Sequence, residues 1–299
     1  MTHHVSAGHD RDSHAHAHGM EQPPDDLVEI LDLDAEMFAP YLDSVHRKIA
    51  DLSEGGVRHI VDLGAGSGTG TFALLRQFPD ARVTAVDSSA PMLEQLTRTA
   101  AGKNLAARVH PVRADAGKSL PGVSDADLVW ASASLHHLDD PAAAMDVIFA
   151  ALRPGGLLAV AELDGMPYFL PDDAVPDRPG LEARCRTALT SLHAEQVPHL
   201  GSDWGTRLAA AGFDIAYEQT GQLRPAAADS PLRERAGRYA YLTLRRIRDA
   251  VDGLVEAADL KALDTLLDGG AQDVRHRADL EVRSTRQLWI ARRPAGAGS

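Results

Sequence analysis

The sequence predicts an α/β protein built on a parallel, doubly wound sheet with helices on both faces. Three observations carry that expectation. From Val57 onward, short apolar runs alternate with helix-length segments; a glycine-rich loop joins the first run to a helix; and an aspartate ends the second run. Parallel strands need crossover connections, so strand-length runs separated by helices imply βαβ units.

The runs are Ile60–Leu63, Val83–Val86, Val109–Val112, Leu128–Ala131 and Leu157–Val160, and Thr71–Gln77, Met92–Ala101 and Ala142–Leu152 between them read as helices. The run holding Pro111 suits a sheet edge, because proline cannot donate to a ladder. Later strands are expected at Phe213–Glu218 and Gln287–Arg292, with helical stretches at Gly180–Ala194 and about Pro231–Leu267. Before the series, Leu27, Ile30, Leu31, Leu33, Met37 and Phe38, then Tyr41, Leu42, Val45 and Ile49, recur at helical spacing, and Pro40 divides them into two helices. The resulting partition is a His-rich tail over 1–24, an N-terminal helical cap over 25–56, and a main domain over 57–299 with helical inserts at about 166–200 and 225–283. The tail holds six histidines and almost no large apolar residue, so it is expected to be disordered.

The chain has 299 residues, 44% of them hydrophobic, and a net charge of −13. An acidic surface repels phosphate backbones and anionic lipid, which argues against a general nucleic-acid or membrane binder. One cysteine, Cys185, can form neither an internal disulfide nor a cysteine zinc site, and it is expected as a buried thiol. No run of about 18 apolar residues and no basic-then-apolar leader stands in the sequence, so a cytoplasmic protein is expected. No metal site is expected either, since His110, His193, His199 and His276 are scattered.

The loop Asp62-Leu63-Gly64-Ala65-Gly66-Ser67-Gly68 has the spacing Asp-x-Gly-x-Gly-x-Gly. Its glycines permit a sharp turn and close approach of a ligand. A nicotinamide fingerprint needs glycine or alanine at the sixth position from the first glycine, where Thr69 stands; the match starting at Gly68 comes too late for the turn. Asp62 would also repel a pyrophosphate at the helix N-terminus. A carboxylate there suits a ligand with an ammonium and a sulfonium, as in S-adenosylmethionine. Asp87, after Val86, can accept both hydroxyls of a ribose, with Ser88 and Met92 beside it. Ser88 and Ser89 also serve as caps for the helix near Pro91.

These segments resemble the class I S-adenosylmethionine-dependent methyltransferases over about Val57–Glu162. Val-Asp-Leu-Gly-Ala-Gly-Ser-Gly is similar to the family's first motif, Ala-Val-Asp-Ser-Ser at 85–89 to its ribose motif, and Arg-Ala-Asp-Ala at 113–116 to its adenine motif. The segment 127–138 resembles the fourth-strand motif with its loop, and Leu-Arg-Pro-Gly-Gly at 152–156 the turn before the fifth strand. The resemblance implies a Rossmann-like seven-stranded sheet of order 3-2-1-4-5-7-6 with one antiparallel strand. It implies S-adenosyl-L-methionine bound by Asp62, Gly64, Ala65, Gly66, Gly68, Asp87, Ser88, Met92, Asp115, Ala116 and Ala131, with Asp115 accepting from the adenine amino group.

The implied reaction is methyl transfer to a small-molecule or peptidic acceptor. His136 and His137 follow the fourth strand, and an imidazole suits proton abstraction near neutrality; His137 is the expected base and His136 a loop-shaping residue. Arg233, Arg235, Arg238, Arg245, Arg246 and Arg248, with Tyr239 and Tyr241, make a basic helix in an acidic chain. It reads as a solvated face or as a cap that recruits an anionic or peptidic acceptor, with Tyr168–Pro179 as a second wall. Trp130, Trp204 and Trp289 are expected in the core, Trp130 alternatively beside the adenine. The competing functions are a non-catalytic cofactor-binding protein of the same fold and, less favoured by the loop, a nicotinamide-binding one. No Asn-Pro-Pro-Tyr-like tetrad follows the fourth strand, where Ala131-Ser132-Ala133-Ser134 stands, so RNA methylation lacks support.

Overall fold

A computed structural model describes residues 25–225 and 232–296; the His-rich tail and Pro231 lie outside the described residues. Two helices come first, α1 (Asp25–Met37) and α2 (Ala39–Leu52), parted at Phe38 with Pro40 in the first turn of α2. Then follow β1 (His59–Leu63), α3 (Thr69–Gln77), β2 (Arg82–Asp87), α4 (Ala90–Gly102), β3 (Val109–Arg113), β4 (Ala126–Ser132), α5 (Pro141–Ala151) and β5 (Leu152–Leu163). The chain continues through α6 (Leu181–Ala188), α7 (Thr190–Gln196), α8 (Trp204–Ala210), β6 (Asp214–Leu223), α9 (Arg233–Ala250), α10 (Ala257–Leu267) and β7 (Ser284–Arg292).

The seven strands form one sheet in the order β3-β2-β1-β4-β5-β7-β6. All neighbours run parallel except β7, which is antiparallel to both β5 and β6. This is the order and polarity that the motif resemblance implies. Pro111 does sit on an edge strand, paired on one side only, with Ala85 of β2. β1, at the centre, is buried along its whole length, as a strand covered on both faces requires. Trp130, Trp204 and Trp289 are all buried.

One turn is drawn differently from the sequence expectation. Leu-Arg-Pro-Gly-Gly was expected before strand five, but β5 already begins at Leu152, which pairs with Ala126, while the next pair is Leu128 with Leu157. The extra residues are absorbed as an irregularity inside the strand, made possible by Gly155 at φ +78° and by Gly156, where a Cβ would stand 2.9 Å from the Ala126 carbonyl. Arg153 ties this bulge to β4 through a 2.6 Å bond from its Nε to Asp127.

Helix starts follow from local chemistry. Asp140 caps α5 by accepting from Ala142 and Ala143, ahead of Pro141. Ser89 rather than Ser88 caps α4, accepting from the Met92 amide at 3.4 Å.

A separate apolar cluster joins α1, α6, α9, α10 and the Phe169–Ala174 segment into a cap. Cys185 is buried there, and burial pushes its thiol up to about 11. Four arginines of the basic helix α9 are paired with carboxylates of this chain. Arg238 binds Glu29 of α1 at 2.7 Å, Arg245 binds Asp26, Arg235 binds Glu36, and Arg248 binds Asp264 of α10 at 2.6 Å. The Tyr239 hydroxyl donates to Asp34 of α1 at 2.6 Å. Of the two readings of this helix, a solvated face or an acceptor-recruiting cap, the pairing favours the first for Arg238 and Arg245, whose charge is met by the acidic face of α1.

A second ionic joint closes the cap. The Asp259 carboxylate on α10, 2% exposed, accepts from Arg178 at 2.7 Å and from Arg184 at 2.7 and 3.1 Å. Those guanidinium bonds hold its carboxyl well below the usual range. A depressed carboxyl adds stability above its unfolded pKa, and that stability is lost as pH falls through the folded one. Asp259→Ala should therefore cost about 1–3 kcal/mol near pH 7, where two part-exposed arginines lose a buried partner. The gap to wild type should narrow as pH falls below about 4. Thermal melts of both proteins across that range check it, and an equal gap at every pH would refute the assignment.

Candidate active site at the carboxyl edge of the sheet

The glycine loop turns directly at the end of β1. Gly64, Gly66 and Gly68 all have positive φ, at +69°, +53° and +96°. At Gly64 the requirement is steric as well, since a Cβ would stand 2.5 Å from the Ser134 Cβ. Gly64 and Ala65 donate their amides to the Val86 carbonyl at 2.9 and 3.0 Å, fastening the loop to the end of β2.

Asp87 joins this loop to the next helix. One carboxylate oxygen accepts from the Gly66 amide and the other from the Ser89 amide, each at 2.8 Å. Each oxygen keeps a second lone pair for a ligand. Met92 is buried nearby, whereas Ser88 is exposed and offers its carbonyl to Arg113. Asp115 lies past the end of β3, exposed, accepting from the Gly117 amide and paired with Lys118 at 2.7 Å; those bonds lower its pKa. Ala116 is half-buried and Ala131 fully buried at the end of β4.

Asp62 is buried behind the loop, bonded to the Thr71 hydroxyl at 2.6 Å. Burial, with a smaller contribution from the Asp87 charge, pushes its carboxyl up to about 7. A buried carboxylate without a cation partner is a costly arrangement that a positively charged ligand would relieve. The site also contains a contact that the sequence reading missed. Asp32 of α1 accepts from Ser67 at 3.1 Å and Thr69 at 2.7 Å, so the N-terminal helix is hydrogen-bonded to the glycine loop. A hollow of about 700 Å³ lies between α1 and α4 and is lined by Asp32 and Met92 among others.

The segment after β4 is organised by a residue that sequence reasoning did not single out. Glu162, at the end of β5 and 1% exposed, accepts the Ser134 and Leu135 amides at 2.9 and 2.7 Å on one oxygen. Its other oxygen bonds His136 Nδ1 at 2.7 Å and the Leu163 amide at 3.3 Å. Ala133, a non-glycine residue at φ +48°, donates its amide to Ala161 of β5 at 2.9 Å. His136 is buried and His137 exposed, with ring centroids 4.2 Å apart. Desolvation first, then the His136 charge, lower the His137 pKa, leaving that ring neutral near pH 7. The missed signal was a carboxylate closing an otherwise apolar central strand, since such groups are buried only when partnered.

Next to this edge, where β5, β7 and β6 end or begin, a cavity of about 670 Å³ opens under α6 and α7. Arg186, Arg224, Arg283, Ser284 and the carboxylates of Asp164 and Asp172 line it. Among the described residues no three His, Cys, Asp or Glu side chains cluster to hold a metal ion, and no helix is long and apolar enough to cross a membrane.

The Asp62 carboxyl gives a direct test. A carboxyl raised on folding adds stability that is complete below about 4 and is lost as pH rises through about 7. Without ligand, wild type should lose stability relative to Asp62→Asn between about pH 4 and 7 and run level with it above that. Parallel thermal melts with no such divergence would show that Asp62 is ionised by an unseen partner.

The loop geometry, the Asp87 carboxylate with spare lone pairs and the buried Asp62 suit a cationic nucleoside ligand. Residues 61–158 match the family described as a methyltransferase domain. A trans-aconitate 2-methyltransferase of Paracidovorax citrulli is 30% identical over 255 residues, covering 84% of this chain and 92% of that protein. A malonyl-(acyl-carrier protein) O-methyltransferase of Xylella fastidiosa is 30% identical over 220 residues, covering 63% and 68%. Other trans-aconitate 2-methyltransferases align over between 37% and 57% of their own length. Among solved structures, the cyclase SpnF superposes with a TM-score of 0.51 at 22% identity, covering 85% of this chain and 82% of its own, a likeness of fold alone. The extent of the match to the Paracidovorax protein, together with the motifs and the sheet order, shows that the chain belongs to the class I S-adenosylmethionine-dependent methyltransferases and is an enzyme that uses S-adenosyl-L-methionine.

Proposed function

We propose that the enzyme methylates an oxygen of a small carboxylic-acid acceptor held over the carboxyl ends of β4 and β5. The observation that carries this reading is the cavity of about 670 Å³ beside the end of β5, with three guanidinium groups in its wall. Neighbouring strands lie about 4.8 Å apart, so a ligand seated at the end of β5 is one strand from the end of β4. Ser284 is buried with no partner for its hydroxyl, and Arg283 Nε has no hydrogen bond, although it lies 3.2 Å from Glu281. Arg224 is exposed with no ion pair among the described residues. Unsatisfied donors favour an acceptor-rich ligand. Two relatives are named for small acids or their carrier-bound form, trans-aconitate and malonyl-(acyl-carrier protein). Asp164 and Asp172 confine the anionic part of the ligand to the arginine side of the cavity.

On the cofactor side, the glycine loop from Gly64 to Gly68 passes close under the ligand. Asp87 accepts the ribose hydroxyls on its free lone pairs, Asp115 accepts from the adenine amino group, and Ala116, Ala131, Ser88 and Met92 shape the adenosine pocket. Asp62 supplies negative charge behind the methionine portion. The cofactor brings a methyl group on positive sulfur; an acceptor oxygen lone pair forms the new C–O bond while the S–C electron pair stays on sulfur. A carboxylate acceptor is already ionised at neutral pH, so no base is required, and the enzyme's task is alignment and exclusion of water. Helices α1 and α2, with the inserts carrying α6–α7 and α9–α10, form the cap that does this.

A screen of mono-, di- and tricarboxylates with S-adenosylmethionine should yield a base-labile methyl ester. Arg224→Ala and Ser284→Ala should each raise the acceptor KM by about tenfold, roughly 1.4 kcal/mol, with cofactor affinity unchanged. Wild-type KM in both variants, or a product methylated at nitrogen or carbon, would overturn the reading.

A further inference from the structure

The Glu162–His136 pair has a geometry that a merely structural contact does not need. Glu162 is buried and all its acceptor directions are taken, by three backbone amides and by His136 Nδ1 at 2.7 Å. A carboxylate saturated with donors accepts and cannot donate, so Nδ1 of His136 carries a proton. That fixes the ring's orientation and leaves Nε2 as its outward edge. Nε2 has no hydrogen-bond partner among the described residues, and it is not sealed in the interior as the ring nitrogens of His46 and His59 are. The residue is only 6% exposed and follows β4, and its partner Glu162 stands two residues before Asp164 of the cavity wall.

We infer that His136 Nε2–H is the donor that grips the reacting carboxylate of the acceptor, with Glu162 as the positioning residue that holds the ring. This deepens the proposed function and rests on its carboxylic-acid reading. One carboxylate oxygen accepts from Nε2–H and the other is left free to take the methyl group, so no proton moves during transfer. This role requires a proton on Nε2 as well in the complex, where the Glu162 carboxylate on one side and the acceptor carboxylate on the other favour the imidazolium. Neutral His137, tilted against it at 46°, adds no opposing charge. Glu162 also sets the amides of Ser134 and Leu135, so ring and loop are placed by one group. The role sought in His137 from the sequence passes to His136, and it is donation rather than proton abstraction.

Two substitutions separate the possibilities, because the asparagine amide overlays Nδ1 and the glutamine amide overlays Nε2. His136→Asn keeps the link to Glu162 and deletes the outer donor; His136→Gln keeps an outer N–H. The readout is calorimetric binding of tricarballylate to enzyme loaded with S-adenosylhomocysteine, with cofactor affinity and melting temperature as controls. His136→Asn should weaken tricarballylate at least about tenfold and His136→Gln about threefold or less, while cofactor affinity holds in both. Glu162→Gln, which loosens the ring, should weaken tricarballylate as well, and nitrogen-15 spectra of the wild-type complex should show both His136 nitrogens protonated. Wild-type binding by His136→Asn, equal loss in both His136 variants, a His136 ring with an unprotonated Nε2 in the complex, or no tricarballylate binding by wild type would each overturn the inference. If binding follows His136 as expected but no acid yields a methyl ester, the inference stands and the proposed reaction falls.

Discussion

The site depends on one buried carboxylate. Glu162 sits where β5 ends, and its four hydrogen bonds determine where the chain goes after β4. Charge-assisted bonds of this kind contribute roughly 1.5–3 kcal/mol each, and an orphaned buried carboxylate costs more than a lost neutral partner. The Ser134 backbone is thereby pinned, and Ser134 in turn donates its hydroxyl to the Leu63 carbonyl at 2.9 Å. That places its Cβ against Gly64, so the glycine there is required by the loop opposite as well as by the turn. The glycine loop after β1 and the loop after β4 are thus in contact through one residue pair, and both take their position from a strand that neither belongs to.

A second layer of order comes from ion pairs that span distant parts of the chain. The acidic face of α1 meets the basic face of α9, and Asp34 also accepts from Arg286 of β7 at 2.6 Å. Asp32, one turn away from Glu36 and Glu29, reaches the glycine loop instead. One helix therefore touches the cap, the sheet and the cofactor loop. The part-exposed pairs contribute little each, and their value lies in fixing α1 over the site rather than in net stability. An acidic α1 also explains why a chain of net charge −13 can carry so many arginines in one helix without presenting a basic surface.

The sheet was legible because its signals are local. Buried strands between helices give short apolar runs, the edge strand tolerates Pro111, and positive φ at Gly64, Gly66 and Gly68 demands glycine. Asp62 and Asp87 were legible for the same reason, standing at strand ends within the motifs. What escaped were pairings between residues far apart in sequence, such as Asp32 with Thr69, Glu162 with His136, and Arg238 with Glu29. Composition alone placed the basic helix on the surface, because neither periodicity nor charge counts reveal which carboxylates a guanidinium meets. The bulge at Arg153–Gly156 was misjudged because Pro-Gly-Gly reads as a turn, while register with Ala126 and Leu128 is a property of the neighbouring strand.

The arrangement of charge bears on the acceptor. Arg238, Arg245, Arg235 and Arg248 are neutralised by carboxylates of this chain, and Arg186, though it lines the cavity, is held by Glu182. Arg224 and Arg283 retain donors at the cavity wall, and the hydroxyl of buried Ser284 has no partner there. A carboxylate-bearing molecule spanning these groups would satisfy donors that the fold leaves open, whereas an apolar acceptor would leave buried Arg283 Nε and the Ser284 hydroxyl without a hydrogen bond, at a cost of about 1–3 kcal/mol for each such group. That asymmetry, more than any attractive contact, is what makes such a site selective: the wrong ligand is excluded by the polar groups it fails to satisfy.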